Sequence, residues 1–261
     1  MWHLIRAVLL SSCSIIWSYF RHILPYSKHP EKAPLEKRYR DIKKLIHKVN
    51  KNLKMDLHVE GLENIPDTVS CYYGNHLSAA DPLPYFDIFD QPIAFLGKIE
   101  IMKMPFAGKA LKAAGGKFLD RSNLKQQLKV MLSVQDSLAK KECNWFVFPE
   151  GTRNKDQMAK LRTFQHGAFR SAMKAKAPIV PVVNYGTFRL LSSKHSFKKY
   201  PTFVKFLKPI YPYEYENLST EEVAKKVESM IQKEISFNMR RIDLEYMNKY
   251  NKKKYRFNQI F

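Results

Sequence analysis

The first pattern along the chain is a nearly unbroken apolar run, Ala7 to Phe20 (AVLLSSCSIIWSYF), bracketed by Arg6 and Arg21. As a helix it reaches only about 21 Å at about 1.5 Å per residue, short of a hydrocarbon core about 30 Å thick. Trp2, Trp17, Tyr19 and Tyr26 stand near its ends, where amphipathic rings favour the bilayer interface. A basic residue before an apolar run also opens a secretory leader. Trp17 and Tyr19 within the run, Arg21 and His22 after it, and no small-residue cleavage site predict instead a retained anchor entering one leaflet.

Pro25 to Pro34 (PYSKHPEKAP) reads as a proline-punctuated linker. Beyond it Tyr39, Ile42, Leu45, Ile46, Val49 and Leu53 recur at helical spacing among basic residues, predicting a helix from Glu36 to Lys54. So basic an amphipathic helix suits a lipid surface, and the anchor upstream favours that position over packing on a core.

From Leu57 the periodicity changes. Short apolar runs at Leu57–Val59, Val69–Gly74, Ile93–Leu96, Gly116–Leu119, Trp145–Phe148, Ile179–Tyr185 and Thr202–Phe206 predict strands. Helical patterns fall between them. Ser122 would cap one whose stripe is Leu124, Leu128, Met131, Leu132 and Leu138; another covers Gly167 to Lys176. Ser219 and Glu222 have capping-box spacing ahead of Val223, Val227, Met230 and Ile231. This alternation predicts an α/β fold with a mixed, partly parallel sheet flanked by helices, behind an N-terminal membrane-associating helical segment. The expected division is 1–54 for the anchoring segment, 55–215 for the α/β domain, and 216–261 for a helix and basic tail. That tail, from Asn248 to Phe261 with its NKKKYRF, suits either a frayed end or a lipid contact.

Charge narrows the partners. Lysine and arginine number 45 against 24 acidic residues, a formal net charge of +21 over 261 residues. Such an excess predicts an anionic partner, either nucleic acid or a lipid surface with a phosphorylated substrate. The apolar N-terminus decides for the lipid surface and against nucleic acid. Cys13, Cys71 and Cys143 are odd in number and lack Cys-x-x-Cys spacing, which excludes a disulfide framework or zinc site and predicts buried thiols.

Four blocks carry candidate chemistry. In the first, Asn75-His76-Leu77-Ser78-Ala79-Ala80-Asp81-Pro82, His76 would sit at the carboxyl end of a strand, where open α/β sheets bind ligands. Imidazole suits proton abstraction near neutral pH, and a carboxylate on its other nitrogen would fix the tautomer. On a regular helix, His76 and Asp81 would lie about 140° apart, so they meet only if the segment turns first. Asp81-Pro82 supplies such a boundary as N-cap and first helical residue. No Gly-x-Ser-x-Gly elbow accompanies the histidine, so the substrate's own hydroxyl would be the nucleophile.

In the second block, Gly115 to Ser122 (GGKFLDRS), Arg121 and Lys117 would bind phosphate, the first bidentately and the second as a point charge. The third, Trp145 to Asn154 (WFVFPEGTRN), runs a strand into a turn presenting Glu150, Gly151, Thr152 and Arg153, a candidate phosphate cradle. The fourth, Ala177 to Val183 (APIVPVV), holds two prolines, which predicts an edge or irregular strand serving the core or an acyl-chain groove.

In this order NHLSAADP, FLDR, FPEGTRN and APIVPV resemble the lysophosphatidate (1-acyl-sn-glycerol-3-phosphate) acyltransferase family of the glycerophospholipid acyltransferases. The likeness covers about Leu57 to Pro212, with VEGLENIP before the first block and GKIEIMKMPFAG before the second. The resemblance implies His76 as general base and Asp81 as its orienting partner. It implies glycerol-phosphate recognition by Arg121 and the Glu150–Arg153 loop, and attack of the acceptor hydroxyl on acyl-CoA or acyl carrier protein. It also implies no cofactor or metal, and a membrane-associated enzyme with its active site on the cytoplasmic face. Where the family commonly has Phe-Lys before a glycine, this chain has Phe164-Gln165-His166-Gly167. A cation near the phosphate is therefore missing unless His166 or Arg162 replaces it. Ala79-Ala80 stand where bulkier residues are common, which would enlarge the acceptor pocket. Glycerol-3-phosphate and other lysophospholipids therefore stay open as acceptors.

Overall fold

The computed structural model describes residues 2–104, 106–154, 160–192 and 198–236, with 244–245 and 248–249. Nearly all of the basic tail lies outside them.

Helix α1 (Trp2–Ser18) runs through a wide π turn (Tyr19–Ile23) into α2 (Leu24–Lys28). Pro25 thus extends a helix rather than opening a linker. Proline lacks an N–H and crowds the preceding turn; the π turn lies where that strain falls. The result is one helix of 25 residues, Leu4–Lys28, long and apolar enough to cross a membrane and little buried. At about 1.5 Å per residue it spans about 37 Å, so the shortness of the apolar run does not restrict it to one leaflet.

Helix α3 (Leu35–Asn52) departs from expectation in its partner. Tyr39, Ile42, Leu45 and Ile46 are buried in the core, and the Tyr39 hydroxyl donates to the Phe89 carbonyl at 3.2 Å. Its apolar stripe covers the sheet and is not left for lipid.

All seven expected strands form: β1 (Met55–Glu60), β2 (Cys71–Gly74), β3 (Ile93–Lys98), β4 (Lys117–Leu119), β5 (Asn144–Val147), β6 (Ile179–Tyr185) and β7 (Tyr200–Phe206). The order is β1-β7-β6-β2-β5-β3-β4. Strands β2 to β6 run parallel, while β7 is antiparallel to β6 and carries β1 alongside it. Helices α4 (Tyr85–Ile88), α5 (Ala107–Ala113), α6 (Leu124–Ala139) and α7 (Arg170–Lys174) make the crossovers between the parallel strands; α8 (Pro212–Tyr215) and α9 (Thr220–Glu234) follow β7.

Strand alternation splits the core into two layers. Tyr72, Phe95, Phe146, Val180 and Phe206 face α3, α4 and α5; Cys71, Tyr73, Trp145, Ile179 and Val183 face α6, α7 and α9. The Ser219–Glu222 capping box forms as expected, and α9 buries Val223, Val227 and Ile231 in the second layer. Cys71 and Cys143 are buried, the first with its thiol pushed up to about 12 by desolvation, whereas Cys13 is exposed.

Strand β6 is central, against the proline-based expectation of an edge. The Pro181 carbonyl accepts from Leu207 N at 2.9 Å, so its donorless nitrogen faces the β7 side, where the ladder begins only at Val182. No ladder hydrogen bond is lost.

Candidate active site

Five parallel strands place five loop starts along one sheet edge. His76 follows β2, Arg121 follows β4, the Glu150–Arg153 turn follows β5, and a turn at Thr187–Arg189 follows β6.

The segment after β2 does turn before any helix begins, and α4 starts only at Tyr85 with Pro84 at its N-cap. Asp81 is therefore not a helix cap. Its carboxylate folds back into the turn, where Oδ2 accepts from His76 Nδ1 at 2.7 Å, Leu77 N at 2.7 Å and Ser78 N at 3.0 Å. Oδ1 accepts from the Thr187 hydroxyl. Asp81 is fully buried and His76 partly exposed. A buried carboxylate is costly unless its lone pairs are met, and four donors meet them here. With Nδ1 engaged, Nε2 is the nitrogen offered to a substrate. The His76 ring stacks on Phe148, centroids 4.3 Å apart.

The FPEGTRN turn clamps the histidine's main chain. Glu150 Oε1 accepts from His76 N at 2.7 Å, Oε2 accepts from Arg162 N at 3.0 Å, and Asn154 N donates to the His76 carbonyl at 2.6 Å. Burial raises the Glu150 pKa, and its two backbone donors offset only part of that. The side chain expected beside the phosphate thus ties two loops together instead.

Arg121 donates to the Gly151 carbonyl, reaching past β3 to the loop after β5. Gly151 has φ +65°, a left-handed conformation that glycine adopts without strain, and its bare Cα leaves room for the end of the Arg121 side chain. Asp120 bonds to Ser122 and not to Arg121. Arg121 and Arg153 are exposed, Gly151 and Thr152 half-buried. Lys117 lies elsewhere. Its nitrogen sits 5.6 Å from the Trp145 ring centre, desolvation lowers its pKa, and its nearby charges are Glu142 and Asp136. Lys117 pairs with Leu96 inside the sheet, and its charged neighbours lie on α6 and just before β5, away from the loops that carry Arg121 and Arg153, so Lys117 does not join the cluster. At the departure from the family pattern, Gln165, His166 and Arg162 are all exposed.

Sequence reasoning missed the frame behind the pair. Asn75 Nδ2 donates to the Asn184 carbonyl at 2.9 Å while Asn184 N donates to Asn75 Oδ1 at 2.7 Å. The Tyr85 hydroxyl, held protonated by burial, donates to Asn184 Oδ1 at 2.5 Å. Gly186 at φ +87° then turns Thr187 towards Asp81. The signal was a polar Asn184 inside an otherwise apolar strand, followed by Gly-Thr.

Comparison with known proteins gives the family. The model of the family described as Acyltransferase matches residues 56–185. A 1-acyl-sn-glycerol-3-phosphate acyltransferase of Saccharomyces cerevisiae is 31% identical over 185 residues, covering 70% of this chain and 60% of the yeast protein. The chain thus spans less than two thirds of that relative's length. A probable enzyme of the same description from Mycoplasma pneumoniae is 28% identical, with 77% of this chain and 79% of the relative covered. The crystal structure of the 1-acyl-sn-glycerophosphate acyltransferase from Thermotoga maritima superposes with a TM-score of 0.67 at 27% identity, over 89% of this chain and 96% of that one. With the family match, the named relatives and the solved structure in agreement, the chain belongs to the acyltransferase family that includes the 1-acyl-sn-glycerol-3-phosphate acyltransferases.

Proposed function

We propose that this protein transfers a fatty acyl group from acyl-CoA or acyl carrier protein to the sn-2 hydroxyl of lysophosphatidate, giving phosphatidate. The reaction takes place at a membrane, on its cytoplasmic face. The observation that carries the reading is the 2.7 Å contact between His76 Nδ1 and a fully buried Asp81. That contact stands at the same sheet edge as the linked Arg121–Gly151 loops.

The chemistry follows from that arrangement. His76 Nε2 takes the proton of the acceptor hydroxyl as its oxygen attacks the thioester carbon. Asp81 stabilises the imidazolium that forms. A carbon–oxygen bond forms, the carbon–sulfur bond breaks, and the leaving thiolate recovers the proton from His76. General-base help of this kind is worth about 10²–10⁴-fold. Arg121 and Arg153, aided by the Thr152 hydroxyl, hold the phosphomonoester as charge-assisted donors. Lys117 has no part in this, and Glu150 supports the site by fixing the two loops.

An acceptor panel with one acyl donor tests the assignment. Lysophosphatidate is expected to be consumed fastest. Faster consumption of glycerol-3-phosphate or of a zwitterionic lysolipid would overturn the acceptor. Either outcome would give meaning to Gln165-His166 in place of the lysine that the family resemblance leads one to expect.

A further inference from the structure

Helix α6 shows an apolar stripe that the fold leaves unused. Its buried face is made by Val134, Ser137 and Leu138, yet Leu124, Leu128 and Leu132 are 80%, 54% and 47% exposed. Spaced four apart, they form one ridge beside the core-facing side rather than on it. Asn123, not Ser122, caps the helix, with its side chain accepting from Gln126 N at 3.0 Å. Leu124 therefore starts the first turn, three residues after Arg121. The first three turns hold no acidic residue, and exposed Lys125 and Lys129 flank the ridge.

The ridge has a counterpart across the sheet. Helix α1 lies on the opposite layer, and its Ala7 packs with Ala80 of the catalytic turn. Val8 and Leu9 beside it are exposed. Between the two layers, exposed Ile99 and Met104 follow β3 on the same sheet edge as His76. Exposed apolar surface thus stands on both sides of the catalytic edge, with cations around it. Contiguous apolar patches of this kind mark interaction surfaces. Apolar side chains flanked by lysines fit an anionic bilayer, which rewards both burial and positive charge.

We propose that Leu124, Leu128 and Leu132, with Lys125 and Lys129, form a second membrane-contact surface, so that the enzyme straddles its site on an anionic bilayer through α1 on one side and α6 on the other. This deepens the functional reading above and rests on it for the location of the acceptor. The ridge would seat the open edge of the site against the leaflet in which a lysolipid lies.

The test uses the full chain with Cys13→Ser and Leu128→Cys, labelled at residue 128 with an environment-sensitive fluorophore. It is mixed with phosphatidylcholine vesicles with and without phosphatidylglycerol. A blue-shifted emission on the anionic vesicles is expected. Water-like emission from protein that sediments with those vesicles would overturn the proposal. A blue shift without lipid that grows with protein concentration would also overturn it, because the ridge would then pair two copies of the chain. This readout needs no turnover, so it fails or holds independently of the acyl-transfer assignment. In the activity arm, Leu124→Glu with Leu128→Glu should lower the rate on vesicle-embedded acceptor by about tenfold. The rate on a dispersed short-chain acceptor should not change. An equal fall on both acceptors, or no fall on either, would contradict the ridge's role.

Discussion

The turn carrying His76 and Asp81 and the loops carrying Arg121 and Arg153 share one sheet edge but are built differently. The first is wrapped in buried hydrogen bonds, with four donors on one carboxylate and the histidine's main chain held at both its N–H and its carbonyl. The second presents exposed guanidinium groups. In the proposed reaction, proton transfer depends on angles and on a fixed tautomer, which calls for a pair set before substrate arrives. Phosphate recognition tolerates a looser cation that tightens on binding. Damage to the first region should therefore appear in kcat, and damage to the second in KM.

The largest effect should come from His76→Ala, with acyl transfer falling by about 10²–10⁴-fold while circular dichroism and vesicle sedimentation stay as in the parent. Residual activity within a few-fold of the parent would remove the histidine from the chemistry. Next is Thr187→Val, which keeps the shape but deletes a donor to Asp81. It should lower kcat by about tenfold at unchanged KM, consistent with one lost hydrogen bond to a charged group, and Thr187→Ser should restore most of the rate. A purely structural threonine would instead shift the melting temperature and leave kcat intact. Arg153→Ala should raise KM for the phosphorylated acceptor by about tenfold, as expected for one charge-assisted contact, with kcat little changed. An unaltered KM would dissolve the contrast between the two regions.

The smallest effect concerns stability. Burial holds the Glu150 pKa above its ordinary 4.5. Between those two values the folded chain binds more protons than the unfolded one, so stability falls as pH rises through the interval and levels off above it. Urea midpoints measured across the acid range should carry this slope, and Glu150→Gln should flatten it.

Much of the frame was legible because strands and helices differ in period. The apolar runs located all seven strands, and Ser219–Glu222 announced its capping box. What stayed hidden was partnership across distance. Thr187 lies 106 residues from Asp81, and the two meet only because β6 pairs with β2. An apolar stripe does not say what covers it. Tyr39, Ile42 and Ile46 read as lipid-facing and are core, whereas Leu124, Leu128 and Leu132, read only as part of one helical stripe, are exposed. Lys117 and Arg121 look alike in sequence, but Lys117 sits inside the strand with its nitrogen at the Trp145 ring, while Arg121 lies past the strand end and reaches Gly151. Glu150 looked like part of an anion cradle until its two oxygens were found on backbone N–H groups.

The most direct measurement is thiol release from the acyl donor with and without lysophosphatidate. Transfer by a hydroxyl that His76 activates predicts release only when the acceptor is present, matched one to one by phosphatidate. Release at the full rate without acceptor would mean that water is the nucleophile, and would contradict the account.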